Sequence, residues 1–440
     1  MLNKKTMLNM SLATSFLLIL FLVACSSEES TNEPLETAQT EVEKEKDEEV
    51  VETTEEAIAE EENDGFHFPQ KAEIVSAFSE AEIKTSDDYD NLVARTLRQD
   101  NMTPRIFLGD EEVVAAESFF IYRYDLSTQE EIWRMQDGIH DLAEAQIIDG
   151  TLYSYNTKGV IATDLDSGEV VRDYPFELGH EPRPHYFDDY LLLYNHEELT
   201  AFDFHTGEEL WTNSLPSGLN TAIVESDQGF IYENDLILYI LDKDTGEVLF
   251  EQDRPYTLAD SKSLIHYPIV HEDSIFVADY ALVDRVMILK ELDAKTGEVR
   301  NEASFNASHS GMREPMKTDT GILMPTDIEQ SGELAFLNFD LEEQWRIDHD
   351  GFVLERYLYL DGKIYLVAAK GEIPAVGDYH LFVIDSESGE IDEAIELGNG
   401  FKNKQLYTNN GKVYVYLNGD ADTRTFIYDY DGNTYRPFAE

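Results

Sequence analysis

An all-β chain built from one small antiparallel sheet, copied many times, is what this sequence predicts, and three observations predict it. One turn is written repeatedly: TDLDSGEVVR at 163–172, FDFHTGEELW at 202–211 and LDKDTGEVLF at 241–250 follow one another every 39 residues. Short segments alternating in apolar character, such as TLYSY at 151–155, precede the turns, as strands do. The chain between them is rich in Tyr, Phe, Ile and Val and is broken by Gly, Asp and Asn, a composition that favours strands over helices.

The N-terminal elements stand outside this pattern. Residues 1–24 read as an export leader, in which Lys4 and Lys5 precede the apolar run SLATSFLLILFLVA. The run ends at Cys25, the only cysteine of the chain, so no internal disulfide is available to explain it. LVAC at 22–25, with small Ala24 before the cysteine and Ser26 and Ser27 after it, resembles the lipobox of bacterial lipoproteins. The resemblance implies cleavage before Cys25 and a diacylglycerol on its sulfur, hence a lipid-anchored protein on the extracytoplasmic face of a cell membrane. An uncleaved membrane-spanning anchor is the alternative.

Residues 25–65 are expected to be a lipidated cysteine followed by a disordered acidic spacer. From Ser26 to Asp64 there are seventeen acidic residues against Lys44 and Lys46, and no aromatic residue. Such a segment cannot bury enough apolar surface to offset its ordering entropy, and its like charges extend it. Residues 66–104 carry no repeat; LVARTLRQ within them suggests a short helix, and the rest is expected to pack across one face of the repeat domain. That domain spans 105–440.

The whole chain has a formal net charge of −59, and residues 65–440 still carry −46 once leader and spacer are set aside. Such a surface excludes nucleic acid as a partner, because phosphates demand cationic residues. Anionic lipid head groups would repel it as well. Net charge also maintains solubility in a saline or alkaline habitat, and composition does not separate habitat from function.

The repeat can be counted from its aspartate. Asp164, Asp203, Asp242, Asp293 and Asp385 are each followed four residues later by Gly168, Gly207, Gly246, Gly297 and Gly389, with Ser or Thr before the glycine and Glu after it. Asp125 opens a further copy with Gln129 at the glycine position, and Asp340 and Asp429 look like the heads of shortened copies. The spacings run 39, 39, 39, 51, 47, 45 and 44, the period of a stacked or circular array. The carboxylate is placed to accept N–H bonds two and three residues on, and glycine supplies the positive φ of a bulged turn. Eight residues after the aspartate stand Trp133, Trp211 and Phe250, and Trp345 closes the shortened sixth copy. A large aromatic recurring there is expected to pack each unit on its neighbour. The long fifth spacing contains HEDSIFVADYALVDRVMILKELD, whose extra residues are expected to form a loop between strands.

Four short strands per ~45 residues are the signature of a β-propeller blade, and eight such units fit between Arg105 and Pro437. The fold class is therefore an eight-bladed β-propeller of four-stranded antiparallel blades, with seven blades as the alternative if the irregular fifth or sixth copy is an insertion. LTAFDFHTGEELW at 199–211 resembles the repeat of the pyrroloquinoline-quinone-type (PQQ-like) β-propeller superfamily, and the likeness extends over about 105–437. The Gly-His and Trp-Asp signatures of WD40 propellers do not recur.

The resemblance implies two classes of function. Dehydrogenases of the superfamily hold the quinone in the central channel beside a calcium or lanthanide, and several carry a disulfide of adjacent cysteines. No such disulfide can form here, and no residue-by-residue match to the metal and base constellation is found, so neither an enzyme nor the quinone cofactor is expected. Other eight-bladed lipoproteins similar to this chain act as assembly scaffolds at the bacterial envelope. A non-catalytic scaffold that binds a protein or an envelope ligand is the leading expectation, with a quinone-dependent dehydrogenase-like enzyme and a propeller that binds a small ligand or cation as the alternatives. The short leader and long spacer suit a single-membrane cell wall equally well.

Paired carboxylates at Asp164 and Asp166, Asp242 and Asp244, and Asp429 and Asp431 leave room only for weak surface calcium, because none continues into a full calcium loop; turn capping is the simpler account. His180 and His185 in GHEPRPH lie in what reads as a Pro-rich connection between blades, without an acidic third ligand nearby. No nucleophile elbow, phosphate loop or nucleotide fingerprint is present.

Overall fold

A computed structural model describes residues 67–84 and, apart from short connecting stretches, residues 105–438, all within the compact unit Asn63–Glu440. The leader, Cys25, the acidic spacer and the expected helix at 92–99 lie outside the described residues.

Eight sheets form, in chain order. Sheets 1 to 4 cover residues 105–136, 139–175, 183–213 and 222–253; sheets 5 to 8 cover 269–306, 316–348, 352–399 and 401–438. Within each, four strands follow in sequence and every neighbouring pair is antiparallel, so each sheet is a simple meander. The long stretch of the fifth copy forms two paired eight-residue strands, Ser274–Ala281 and Val286–Asp293, and residues 282–285, which connect them, lie outside the described residues. The alternating apolar residues of the stretch suit strands.

The period-two pattern does more than divide core from solvent. The second and third strands are buried on both faces: LTAFD at 199–203, GFIYE at 229–233 and ILYIL at 237–241 have almost no exposed residue. Alternation instead sorts side chains between two different neighbours. Tyr365, Val367 and Ala369 of sheet 7 pack with Val413 and Val415 of sheet 8. The residues between them, Ile364, Leu366 and Ala368, pack with Leu323, Phe336 and Trp345 of sheet 6. Leu191 and Leu193 likewise join Tyr153 and Tyr174 of sheet 2, while Leu192 and Tyr194 join Phe230 and Tyr232 of sheet 4. Equivalent clusters link every successive pair from sheets 1 and 2 to sheets 7 and 8. Four-stranded meanders stacked face to face in chain order are the blades of a β-propeller.

The described part of the N-terminal segment runs along the outer edges of the sheets, not across a face as expected from sequence. The Ser304 N–H of sheet 5 donates to the His67 carbonyl (2.7 Å). Strand Ile74–Ala77 then pairs in parallel with Arg346–Asp348, the outer strand of sheet 6, and Ile83–Lys84 with Ala394–Ile395 of sheet 7. Both pairings create five-stranded sheets. Between them Phe78, fully buried, stacks on Phe382 with ring centroids 4.0 Å apart. Phe68 packs on Val286 and Ile288 of sheet 5, and Lys71 pairs with Glu333 of sheet 6 (3.4 Å), so pairing, aromatic packing and side-chain bonds together hold this belt.

Candidate functional site

The repeated residues gather where the third strand of each sheet turns into the fourth. The carboxylate of Asp203 accepts the N–H of His205 (3.0 Å) and both the N–H (2.6 Å) and hydroxyl (2.8 Å) of Thr206. That hydroxyl accepts the Glu208 N–H in turn, and the Gly207 N–H returns to the Asp203 carbonyl. Asp242, Asp293 and Asp385 repeat this arrangement; Asp164 accepts from the N–H and hydroxyl of Ser167. Asp125, although its copy lacks glycine, accepts from Ser127 and Thr128. Hydroxyl donors, then backbone N–H groups, hold the carboxyls of Asp125, Asp164, Asp203 and Asp242 below the usual carboxylate range. Asp385 goes to about 2, chiefly through Lys363. Backbone N–H groups of Thr296 and Lys295, with Arg300, depress Asp293. The side chain of Asp429 lies outside the described residues.

The turn aromatics join one sheet to the next. Trp133 Nε1 donates to the Leu165 carbonyl (2.7 Å), Trp211 Nε1 to that of Lys243 (2.7 Å) and Trp345 Nε1 to that of Ser386 (3.1 Å). Each acceptor is the residue directly after the corner aspartate of the following sheet. The indole also covers that corner's glycine. A Cβ on Gly246 would stand 2.4 Å from the Trp211 ring, and Gly246 already has φ +70. Glycine is thus required twice over, by backbone conformation and by the close ring. Phe250 covers Gly297 in the same way without a polar bond.

Two members of this latch escape a search for aromatics. Arg172, eight residues after Asp164, lies over Gly207 and donates to the Phe204 carbonyl (2.8 Å), which also accepts the Tyr174 hydroxyl (2.6 Å). Asn301, eight residues after Asp293, donates to the Asp340 carbonyl (2.8 Å). A polar atom that reaches one carbonyl is what Trp, Arg and Asn have in common here, whereas Phe250 covers its glycine by packing alone.

The shortened sixth corner is headed by Asn338, not by Asp340. The Asn338 side-chain oxygen accepts the N–H groups of Asp340 (3.1 Å) and Glu342 (2.9 Å). Leu341 takes the positive φ of 62° that glycine takes elsewhere. The backbone bond closes from Asn338 to Glu342, four residues on, where the regular corners close over five. One residue is missing, and Trp345 falls seven positions after the head.

The carboxylates considered for calcium already have partners. Asp166 pairs with Arg123 (3.0 Å), and Asp244 accepts the Tyr190 hydroxyl (3.0 Å), which is pushed up to about 12 by burial and by that carboxylate. Asp431 lies outside the described residues. His180 does too, and His185 sits in the first strand of sheet 3, not in a connection. Among the described residues no group of three His, Cys, Asp or Glu gathers as a metal site would require.

A buried ion pair was not singled out from sequence. Lys290 and Asp279 face each other at 3.1 Å in sheet 5, with side chains 2% and 7% exposed. The lone lysine in VMILKELD was the available signal. The outer strands carry a second unforeseen feature, in that Ile132, Val171, Leu210 and Leu249 are 43%, 55%, 43% and 56% exposed.

Residues 174–320 match the family model described as the outer membrane protein assembly factor BamB. No curated protein matches the chain in sequence. Among solved structures, BamB from Moraxella catarrhalis is similar with a TM-score of 0.50 at 15% identity, covering 74% of this chain and 96% of its own. A computationally designed protein, Ika8, gives 0.52 at 14% identity, with 76% and 98% covered. Sqt1 from Saccharomyces cerevisiae gives 0.50 at 10% identity, with 78% and 99% covered. At these identities the likeness is one of fold.

Proposed function

We propose that this chain, a PQQ-like β-propeller repeat protein, is a non-catalytic scaffold, anchored by lipid on Cys25 to the outer face of a cell membrane, that binds a protein or an envelope ligand. The observation that carries the reading is the use made of the repeated residues. The repeated aspartate, hydroxyl residue, glycine and tryptophan are engaged in closing corners and latching one sheet to the next. Rigid blades with variable loops are a platform for recognition. The match of residues 174–320 to a family described as an assembly factor supports the same reading. Fold alone does not assign function, so the anchor and the scaffold are tested separately.

For the anchor, a clickable fatty-acid analogue is expected to label the wild-type chain, and Cys25→Ser to remove the label and release the protein from membranes. Label retained on C25S would disprove the anchor. For the scaffold, photo-crosslinking residues are placed one at a time in the corners and in the loops of the opposite face. A discrete adduct confined to one face in living cells is expected; uniform faint adducts at every position would overturn it.

A further inference from the structure

The repeat finishes its outer rim in two ways. At the position seven residues after the corner aspartate, sheets 1 to 4 carry Ile132, Val171, Leu210 and Leu249, all exposed. At the same position sheets 5 and 7 carry Arg300 and Asp392, and Gln344 precedes Trp345 in sheet 6; the exposed Val299 of sheet 5 stands one position earlier, as Val170 and Val248 do. The belt of residues 67–84 runs along the polar set. On sheets 1 to 4 the outer strands Glu130–Gln136, Val170–Pro175, Glu209–Asn213 and Val248–Asp253 have no fifth strand among the described residues. Ile132, Val171, Leu210 and Leu249 are each the unpaired residue of a β-bulge, which together with charge ordinarily blunts an edge. The stretch open to pairing therefore lies beyond the bulge, where the belt pairs on sheet 6.

We propose that the outer edges of sheets 3 and 4 receive an extended, basic segment of a partner protein, which adds as a fifth strand in the manner of the belt. Continuity fixes the place, because the edge of sheet 4 lies next to that of sheet 5, which meets the belt at the His67 carbonyl. Charge fixes the occupant. Glu208, Glu209, Glu247 and Glu251 are exposed beside Leu210, Val248 and Leu249. Backbone bonding gives affinity, alternate aliphatic residues cover Leu210 and Leu249, and the intervening basic residues meet the glutamates. A second copy of this chain would bring the same acidic edge and be repelled.

The inference rests on the scaffold reading and supplies its partner class. Its test uses the full-length protein in detergent and a fluorescent ten-residue peptide of alternating lysine and valine at physiological salt. The comparison peptide has the same charge, with prolines in place of alternate valines so that it cannot pair. The strand-forming peptide is expected to bind at least tenfold more tightly, to slow amide exchange within 248–253, and to lose about tenfold on Leu210→Ser/Leu249→Ser. Gln344→Ser on the belted edge is expected to change affinity by less than twofold. Equal binding of both peptides would reduce the interaction to bulk charge and overturn the proposal. Equal loss on Q344S, or self-association of the protein through this edge, would overturn it too. Discrete cross-links at a flat face together with a failed peptide assay would remove the rim site and leave the scaffold standing.

Discussion

Sheets 1 to 4 and sheets 5 to 7 are copies of one unit whose outer strands meet different surroundings. In the first group the outer strand is an edge with exposed Ile132, Val171, Leu210 and Leu249. In the second the N-terminal belt lies against it, and sheets 6 and 7 become five-stranded. The latch registers the difference. Trp133 and Trp211 remain 8% and 7% exposed, whereas Trp345 falls to 2%, with Val75 of the belt beside the same Gly389 that the ring covers. Ser76 adds a bond from its hydroxyl to the Gly389 carbonyl (2.7 Å). A repeat therefore sets the interior of each blade, and non-repeated sequence decides how its rim is finished.

The sharpest way to break this comparison is to pull the aromatic plug. Phe78→Ala removes a fully buried ring from the cluster shared by sheets 6 and 7. The expected cost is about 3–5 kcal/mol, the usual range for a buried Phe truncated to Ala. Denaturant midpoints measure it, and amide exchange localises it. Exchange should quicken in 343–348 and 391–399 while 209–213 stays as in wild type. Uniform quickening would mean that the belt supports the whole molecule and that the two groups do not differ.

Replacing the tryptophans by phenylalanine is the next test. Trp345→Phe leaves the Ser386 carbonyl without this donor in a dry setting, for an expected loss of about 1–3 kcal/mol. Trp211→Phe leaves the Lys243 carbonyl where water can reach it, and about 0.5–1.5 kcal/mol is expected from the net value of one hydrogen bond. Equal losses in thermal or urea unfolding would show that the belt does not dry the latch.

These latches also show what could be read from sequence. The corner is legible because all its parts lie within six residues: carboxylate, hydroxyl and glycine satisfy one another locally. Strand periodicity is legible for the same reason, although alternation ordinarily marks a half-buried strand and here alternate residues serve two packed faces. Arg172 and Asn301 were missed because what recurs is a reach to a carbonyl, not a residue type. Asn338 was missed because deleting one turn residue moves the head away from the nearest aspartate. The belt was illegible because strand Ile74–Ala77 finds its partner some 270 residues away, and no local signal encodes so distant a pairing. The exposed aliphatic residues were visible as letters, but their exposure depends on which edges the belt covers.

Acid is expected to separate the groups more gently. The corner carboxyls of sheets 1 to 4 are depressed by their hydroxyl and N–H donors, and Asp385 of sheet 7 goes down to about 2 through Lys363. A carboxyl whose pKa is lower folded than unfolded contributes stability above its unfolded value of about 4, and that contribution disappears as pH falls through the folded value. Stability should therefore be level from neutral pH to about 5 and decline below 4. The corners of sheets 5 and 7, whose carboxylates also meet Arg300 and Lys363, should hold their amide protection to lower pH than those of sheets 1 to 4. Asp385→Asn is expected to abolish that extra resistance in sheet 7; an unchanged acid profile for D385N would contradict the assignment to Lys363.

The smallest stability effect is expected at the residues that distinguish the bare rim most visibly. Leu249 is 56% exposed on the outer strand of sheet 4, so Leu249→Ser gives up little buried area and should shift stability by no more than about 0.5 kcal/mol. The same change should diminish strand-forming peptide binding. Stability and binding thus part company at this position, whereas at Phe78 they should fall together if the belt holds the neighbouring edge in shape. A loss of about 2 kcal/mol or more in the urea midpoint of L249S would mean that the side chain is covered in solution by another part of the protein. In that event the bare rim would be a second belted one, and the contrast between the two groups of sheets would collapse.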